Sequence, residues 1–374
     1  MKKILASIMA VFLVVAMSGC KDDTKKQSTN LEETKAVSEG DYAALLPYEA
    51  STARHSHAIL STNQTETFTV GKGLMELSKK HFDPDTYVYR EGQFLTYSAL
   101  DATSDGEGLL GRTSETNPNG MNPKVGSRFK TDAGEKEITS SDVVLLDIFE
   151  MDWYRSNDLE GISLALVLNS KIGDSENPDI ITDEMLKTYG EDAARKIVSY
   201  LRKTHPEIGQ KTPIYVVLYK EGGVNNSLPG VFLDEAYFES KTVGEFKSIS
   251  EEWALFPSKN ASELDGSVAT NFSKLKKNIL NVLPDATSII GEGHFTDKKL
   301  DSLSMEVSIN AKSYAEAYAV VQMVNTSMSM FDGKNYGVKV TINNNNELLA
   351  VVSRNKGSIR CDFIKERKNR YGTI

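Results

Sequence analysis

Parts of this 374-residue chain repeat each other. Repetition constrains a fold strongly, because each copy must bury its apolar face in the same way. Thr86 recurs as Thr287, and Glu91-Gly92-x-Phe94 recurs as Glu292-Gly293-x-Phe295. Further on, Ile162-Ser-Leu-Ala-Leu-Val-Leu-Asn169 matches Leu303-Ser-Met-Glu-Val-Ser-Ile-Asn310, and Lys171 matches Lys312. The order of predicted elements repeats too. Each copy opens with a helical stretch, near 71–82 and 268–283. A strand follows, at 86–95 or 287–296, and then a second, at 161–169 or 302–310. Leu303, Met305, Val307 and Ile309 alternate with Ser304, Glu306 and Ser308, the period of a half-buried strand.

An amphipathic helix comes next. Tyr314, Ala317, Tyr318, Val321, Val324 and Met328 fall on one face at helical spacing. Ser313-x-x-Glu316 is a capping box that satisfies free backbone donors at its start. In the earlier copy the helix runs near 182–203, with Ala194, Ile197, Val198 and Leu201 as its apolar stripe and Pro206 beyond its end. Two strands close each copy: 214–218 and 231–233 in the first, 338–342 and 349–352 in the second. Asn343 to Asn346 read as the hairpin turn between the last pair, since asparagine tolerates positive φ. The expectation is an α+β protein of two related αββαββ domains, mostly antiparallel sheets with helices packed on one face. The first domain spans 51–245 with an insertion at about 96–155. The second spans 246–374.

The amino terminus carries a different message. Met1-Lys2-Lys3 precedes an apolar run from Ile4 to Met17, the layout of a secretory signal. The run is shorter than the roughly 20 residues of a membrane-spanning helix. It ends in Met17-Ser18-Gly19-Cys20. Small residues admit a signal peptidase, and the thiol that follows accepts a diacylglycerol. Residues 1–19 are therefore expected to be a lipoprotein signal peptide, cut before Cys20. Diacylglyceryl transferase and lipoprotein signal peptidase are the maturation partners. The acyl chains, palmitate among them, place the chain on the extracytoplasmic face of the cell membrane. Two acyl chains suffice for stable anchoring. Residues 20–50 are expected to be the lipidated cysteine and a flexible tether, because Lys21 to Gly40 is polar and almost free of large apolar side chains. Loss of Lys2 and Lys3 takes the net charge from −9 to −11, which gives no support for nucleic-acid binding. The basic tail from Lys365 to Arg370 reads as a solvated terminus. With Cys20 lipidated, Cys361 has no partner for an intrachain disulfide.

Catalytic patterns are sparse in the sequence. His55-x-His57 on a strand face offers two metal nitrogens with no acid or thiol near in sequence. His81, His205 and His294 stand alone. HExxH and G-x-S-x-G are absent. Ser127-x-x-Lys130 and Ser273-x-x-Lys276 match a minimal SxxK pattern without its companion motifs. Gly71-Lys-Gly73 and Gly291-Glu-Gly293 read as turn or strand-entry glycines. No metal or cofactor is expected, and the body reads as non-catalytic. The insertion is the best candidate for a surface-binding loop. Residues 108–123 are rich in Gly, Asn and Pro, with Arg112, Asn117, Asn119 and Asn122 as its polar contacts.

Several blocks together resemble one family. Arg90-Glu-Gly-Gln-Phe-Leu95, Leu110-Gly-Arg112, Asn117-Pro-Asn-Gly-Met-Asn-Pro123, Ile162 to Asn169, Leu255-Phe-Pro-Ser258 and Ile289-Ile-Gly-Glu-Gly-His-Phe295 occur in the order found in CamS lipoproteins. These are described as sex-pheromone precursors of low-GC Gram-positive bacteria. The resemblance implies that a short hydrophobic peptide is trimmed from the released signal sequence and read by a receptor as a mating signal. The equivalent residues here are Phe12, Leu13, Val14, Val15, Ala16, Met17, Ser18 and Gly19. Two alternatives stay open: a surface lipoprotein that binds a small molecule or peptide without a pheromone role, and an envelope hydrolase.

Overall fold

The computed structural model describes residues 32–60, 64–101, 107–222, 228–240, 244–286, 288–355 and 357–364. The expected signal peptide, Cys20 and the leader residues Phe12 to Gly19 lie outside this set. In chain order the first half contains β1 (Glu32–Glu33), β2 (Ala43–Leu46), α1 (Thr52–Leu60), α2 (Gln64–Ser78), β3 (Val88–Glu91) and α3 (Tyr97–Leu100). There follow β4 (Arg128–Thr131), β5 (Gly134–Glu137), β6 (Leu145–Arg155), β7 (Asp158–Leu168), β8 (Lys171–Ile172) and β9 (Asp179–Ile180). Helix α4 (Asp183–Thr204) leads to β10 (Ile214–Lys220), β11 (Val231–Phe238) and β12 (Phe246–Ser248). The second half contains β13 (Glu251–Phe256), α5 (Lys259–Leu264), α6 (Gly266–Val282), β14 (Ser288–Thr296), β15 (Lys299–Ile309) and α7 (Tyr314–Ser327). It closes with β16 (Gly337–Asn344), β17 (Glu347–Asn355) and β18 (Ser358–Phe363).

Two large sheets result, ordered β1-β2-β3-β6-β7-β10-β11-β12 and β13-β14-β15-β16-β17-β18. Both are mostly antiparallel, in line with the expected α+β class. Each is built around a long hairpin, β6–β7 or β14–β15. A crossover helix, α4 or α7, then returns the chain to lie parallel to the second strand, as a parallel pair requires. The registers correspond: Ile162 pairs with Ile214, and Leu303 pairs with Val338. The β16–β17 hairpin turns at Asn345 and Asn346, both at positive φ (50° and 66°), as the asparagine run predicts, and one further strand, β18, follows it.

The sheets differ in how they are covered. In the second, Leu303, Met305, Val307 and Ile309 are buried beneath α6 and α7, while Ser304 and Glu306 remain exposed. Ser313 caps α7 by accepting from the Glu316 amide, and Glu316 accepts in turn from the Lys312 amide. The first sheet is buried on both faces. Ile162, Leu164, Leu166 and Leu168 pack with Ala194, Ile197, Val198 and Leu201 of α4. Ala165, Val167, Tyr215, Val217 and Tyr219 pack on the opposite side with Val70 and Leu74 of α2. Helix α2 thus adds a layer to the one-face arrangement. Its presence explains why β7 reads as a nearly continuous apolar run, broken at Ser163, where β15 alternates.

Several expected boundaries move. The stretch expected to be tether out to residue 50 contributes β1 and β2, with Tyr42 and Leu45 buried. Strand β1 lies within the polar stretch that concealed it, and β2, Ala-Ala-Leu-Leu, is too short to show a strand pattern. The expected insertion, 96–155, ends in β6, a central strand. In pairing position β14 corresponds to β6 rather than to 86–95, and β3 sits where β13 does. Asp147, Glu150 and Asp152 interrupt the apolar pattern of β6 and hid it. The boundary at 245/246 falls just before β12, which hydrogen-bonds to β11 in the first sheet. Gly71 and Gly73 lie within α2 and Gly291 and Gly293 within β14, not at turns. A Cβ on Gly73 would meet the Phe232 ring at 2.3 Å, and one on Gly293 would meet Phe256 at 2.7 Å. Close packing is what Gly73 and Gly293 demand, whereas a Cβ on Gly71 would meet nothing within 4 Å.

Candidate functional site

The loop expected to bind a partner is used internally. Asn122 is buried, and its carboxamide makes four backbone hydrogen bonds. It donates to Leu110 O (2.8 Å) and Leu145 O (2.9 Å), and accepts from the amides of Val144 (2.8 Å) and Leu145 (3.0 Å). Asn117, also buried, donates to Gly108 O (3.0 Å). Arg112 donates to the carbonyls of Pro123, Ser140 and Asp142. A loop without regular ladders must satisfy its backbone with side chains, and these residues do so. Of the four expected contacts, Asn119 alone is exposed.

A different region gathers functional groups: the face of the first sheet under α1 and α2. A groove of about 710 Å³ lies there. Tyr42, Tyr48, Phe68, Met75, Tyr89, Phe149 and Met151 line it, with Arg54, Lys72, Lys79, Glu76 and Glu91 at its polar edges. Phe68 is 77% exposed and Tyr48 50%. Two large aromatic residues left open on a concave apolar surface make it a candidate binding groove.

An ionic cluster adjoins it. Arg54 makes a two-pronged pair with Asp147 and lies 3.9 Å over the Phe149 ring. His57 stands between two carboxylates, Nδ1 at 3.0 Å from Asp147 and Nε2 at 2.6 Å from Asp101. The Asp147 hydrogen bond is the largest influence on His57 and raises its pKa, outweighing burial. Burial by itself would raise Asp147, but the hydrogen bonds from His57 and Arg54 hold it below the usual carboxylate range. His57 therefore favours its charged form more than a free imidazole does, and both its ring nitrogens are occupied by carboxylates. His55 and His57 lie on α1, not on a strand. Two residues apart on a helix, they point to different sides and do not share a ligand position.

Below the groove, β6 carries Glu150 and Asp152, both buried. Glu150 accepts from the amides of Phe94 (3.2 Å) and Leu95 (2.7 Å), and Asp152 from that of Gln93 (3.0 Å). Burial pushes Glu150 up to about 7, and burial with the neighbouring Glu150 raises Asp152 well above its ordinary value. Each carboxyl therefore favours its protonated form more than an exposed one does. Segment 92–95 rests directly on them: a Cβ on Gly92 would stand 2.3 Å from Glu150 Cβ. Glu91 ties α1 to this point by accepting from the Ser51 amide (2.7 Å). Glu292, its sequence counterpart, lies on β14 of the second sheet, near Glu306.

The remaining histidines are stacked or paired. His81 lies 4.1 Å from Tyr237 and nearly parallel to it, His205 meets Phe94 edge-on, and His294 bonds Glu251. The Ser273 hydroxyl donates to Ala269 O. Lys130 pairs with Glu184 at 3.7 Å. Among the described residues no cluster of three or more His, Cys, Asp or Glu is placed to hold a metal, and no helix is long and apolar enough to cross a membrane.

A family model described as CamS sex pheromone cAM373 precursor matches residues 48–359. Among solved structures the chain is similar to a sex pheromone precursor from Lactobacillus salivarius subsp. salivarius UCC118. That likeness has a TM-score of 0.77 and 21% identity, and covers 90% of this chain and 100% of that one. It is also similar to the C-terminal domain of the sex pheromone staph-cAM373 precursor from Staphylococcus aureus. There the TM-score is 0.61 and the identity 25%, with 79% of this chain and 96% of that one covered. The first of these likenesses speaks to fold. No curated protein matches.

Proposed function

The chain belongs to the CamS sex pheromone precursor family, and from that premise we propose a two-part role for it. Lipid on Cys20 anchors it at the extracytoplasmic face of the cell membrane, and its leader is trimmed to a short hydrophobic peptide within Phe12 to Gly19. The folded body binds and does not catalyse. The observation that carries this reading is Ser18-Gly19-Cys20 directly behind an apolar run in a chain of this family. Diacylglyceryl transferase and lipoprotein signal peptidase act on that sequence, and a receptor on another cell takes up the peptide.

For the body, the aromatic groove under α1 and α2 favours an apolar ligand. A hydrolase is the weaker reading, because His57 has both nitrogens held by carboxylates. Two experiments address anchor and leader. Changing Cys20→Ala is expected to move the protein from the membrane fraction to the medium, or to leave an uncleaved precursor. Synthetic FLVVAMSG and its neighbouring registers are expected to elicit clumping or mating in plasmid-bearing indicator cells. Normal processing with unchanged membrane retention would exclude Cys20 as the anchor. Silence from every peptide, with none found in spent medium by mass spectrometry, would end the pheromone reading and leave the anchor standing.

A further inference from the structure

Strand β18 ends the strand order of the second sheet. Strand β17 pairs with its inner side over its whole length, from Asn355 opposite Ser358 to Ala350 opposite Phe363. Among the described residues no strand pairs with its outer side. The opposite edge, β13, lies against β11, and its Glu251 accepts from the Phe232 amide. The edges of the first sheet, β1 and β12, have two and three residues. An open strand of six residues is a template for pairing with another chain.

The bonds to β17 fix which groups of β18 face outward. The Ile364 amide donates to Leu349 O. Hydrogen-bonded and non-bonded pairs alternate along an antiparallel ladder, and this register runs without a shift. Asp362, Arg360 and Ser358 therefore bond inward to β17. Phe363, Cys361 and Ile359 turn their backbone groups outward. Two copies related by a two-fold axis present the same strand to each other. Registers that join outward groups and pair most of the strand put the axis at Arg360, Cys361 or Asp362. An axis at Arg360 sets that cation opposite itself, and one at Asp362 does the same with its acid. Like charges directly opposed are unfavourable. An axis at Cys361 instead sets Arg360 opposite Asp362 of the second copy, twice over. It also sets Ile359 opposite Phe363. The faces agree as well. Cys361 and Phe363 lie beside Val352 and Ala350 on the side that packs into the core. Arg360 and Asp362 share the bare side, 2.8 Å apart. Apolar groups thus meet on one face and opposite charges on the other.

We propose that β18 pairs antiparallel with β18 of a second copy around Cys361, so that two six-stranded sheets run on as one. Six residues a side make a small interface, so the dimer is weak and forms as concentration rises.

Residues 20–374 carrying Cys20→Ser keep Cys361, which is exposed, as their one thiol. Sedimentation velocity between about 5 μM and about 500 μM is expected to show a monomer–dimer equilibrium. A short bis-maleimide should join the copies through Cys361, because opposed residues in a hydrogen-bonded pair have Cα atoms about 5.5 Å apart. Arg360→Asp, and separately Asp362→Arg, should each weaken dimerisation about ten-fold or more by opposing like charges. Mixed in equal amounts, the two variants should recover it, since each then meets its opposite. Variants that had lost their fold could not restore one another. A monomer at every concentration, dimers that the maleimide does not join, variants that dimerise like the parent, or a mixture no stronger than either variant would overturn the proposal.

Discussion

Asn122 fills all four of its carboxamide bonding positions with backbone groups of two segments, 110 and 144–145. Removing it strands two amides and two carbonyls in a site that water does not reach, and an unmet buried polar group costs far more than a typical hydrogen bond contributes. Asn122→Ala is expected to lower stability by about 3 kcal/mol in urea unfolding. Asn119→Ala, on the same loop but exposed, should change it by less than about 0.5 kcal/mol. Equal effects would show that the loop is not held by Asn122. The contrast also explains what the sequence left hidden at this scale. Composition marks residues 108–123 as an irregular loop and picks out the right side chains, yet asparagine and arginine bond backbone carbonyls as readily as ligands. Burial alone separates the two uses, and burial depends on residues far along the chain. The His57 cluster was hidden for the same reason: its carboxylates stand 44 and 90 residues away.

At the scale of elements, patterns with one wet face were legible. Helices α4 and α7, strands β15 and β16 and the asparagine hairpin lie close to where periodicity puts them, because alternation is written wherever one side meets water. Strand β6 was not legible, since its acids are buried and read as surface. That same peculiarity gives it a measurable consequence. Glu150 and Asp152 hold segment 93–95 against β6 through three amides. Glu150 is raised from 4.5 to about 7 in the folded chain, so the folded state binds more protons than the unfolded state between those values. Its contribution is then fully present at acid pH below about 4.5 and is lost as pH rises through about 7. Glu150→Gln keeps an acceptor for the amides and removes the titration. The drop in melting temperature from pH 5 to pH 8 should be smaller in the variant than in the parent. Parallel pH profiles would show that Glu150 ionises without penalty.

Over the whole molecule, the two sheets are joined by Ile249 and Ser250 alone between β12 and β13, though further bonds cross the junction. The Ile249 amide donates to Leu233 O, the Phe232 amide to Glu251, and the Asp297 amide to Ser250 O. Among the described residues, the buried core of the second sheet is drawn from residues 254–352, with Phe363 packed against it. A fragment of residues 249–374 is therefore expected to unfold in a single cooperative transition, followed by circular dichroism in urea. A soluble fragment without such a transition would show that it depends on the first half. The uneven covering of the sheets sets different terms for change in the two halves. A substitution on β7 or β10 lands in packed surroundings whichever way the side chain points, so those strands have no silent side. On β15 every second position faces water and is free to drift. Mutation should therefore accumulate faster on the bare face of the second sheet, where new surface chemistry can be tried without risking the fold beneath it.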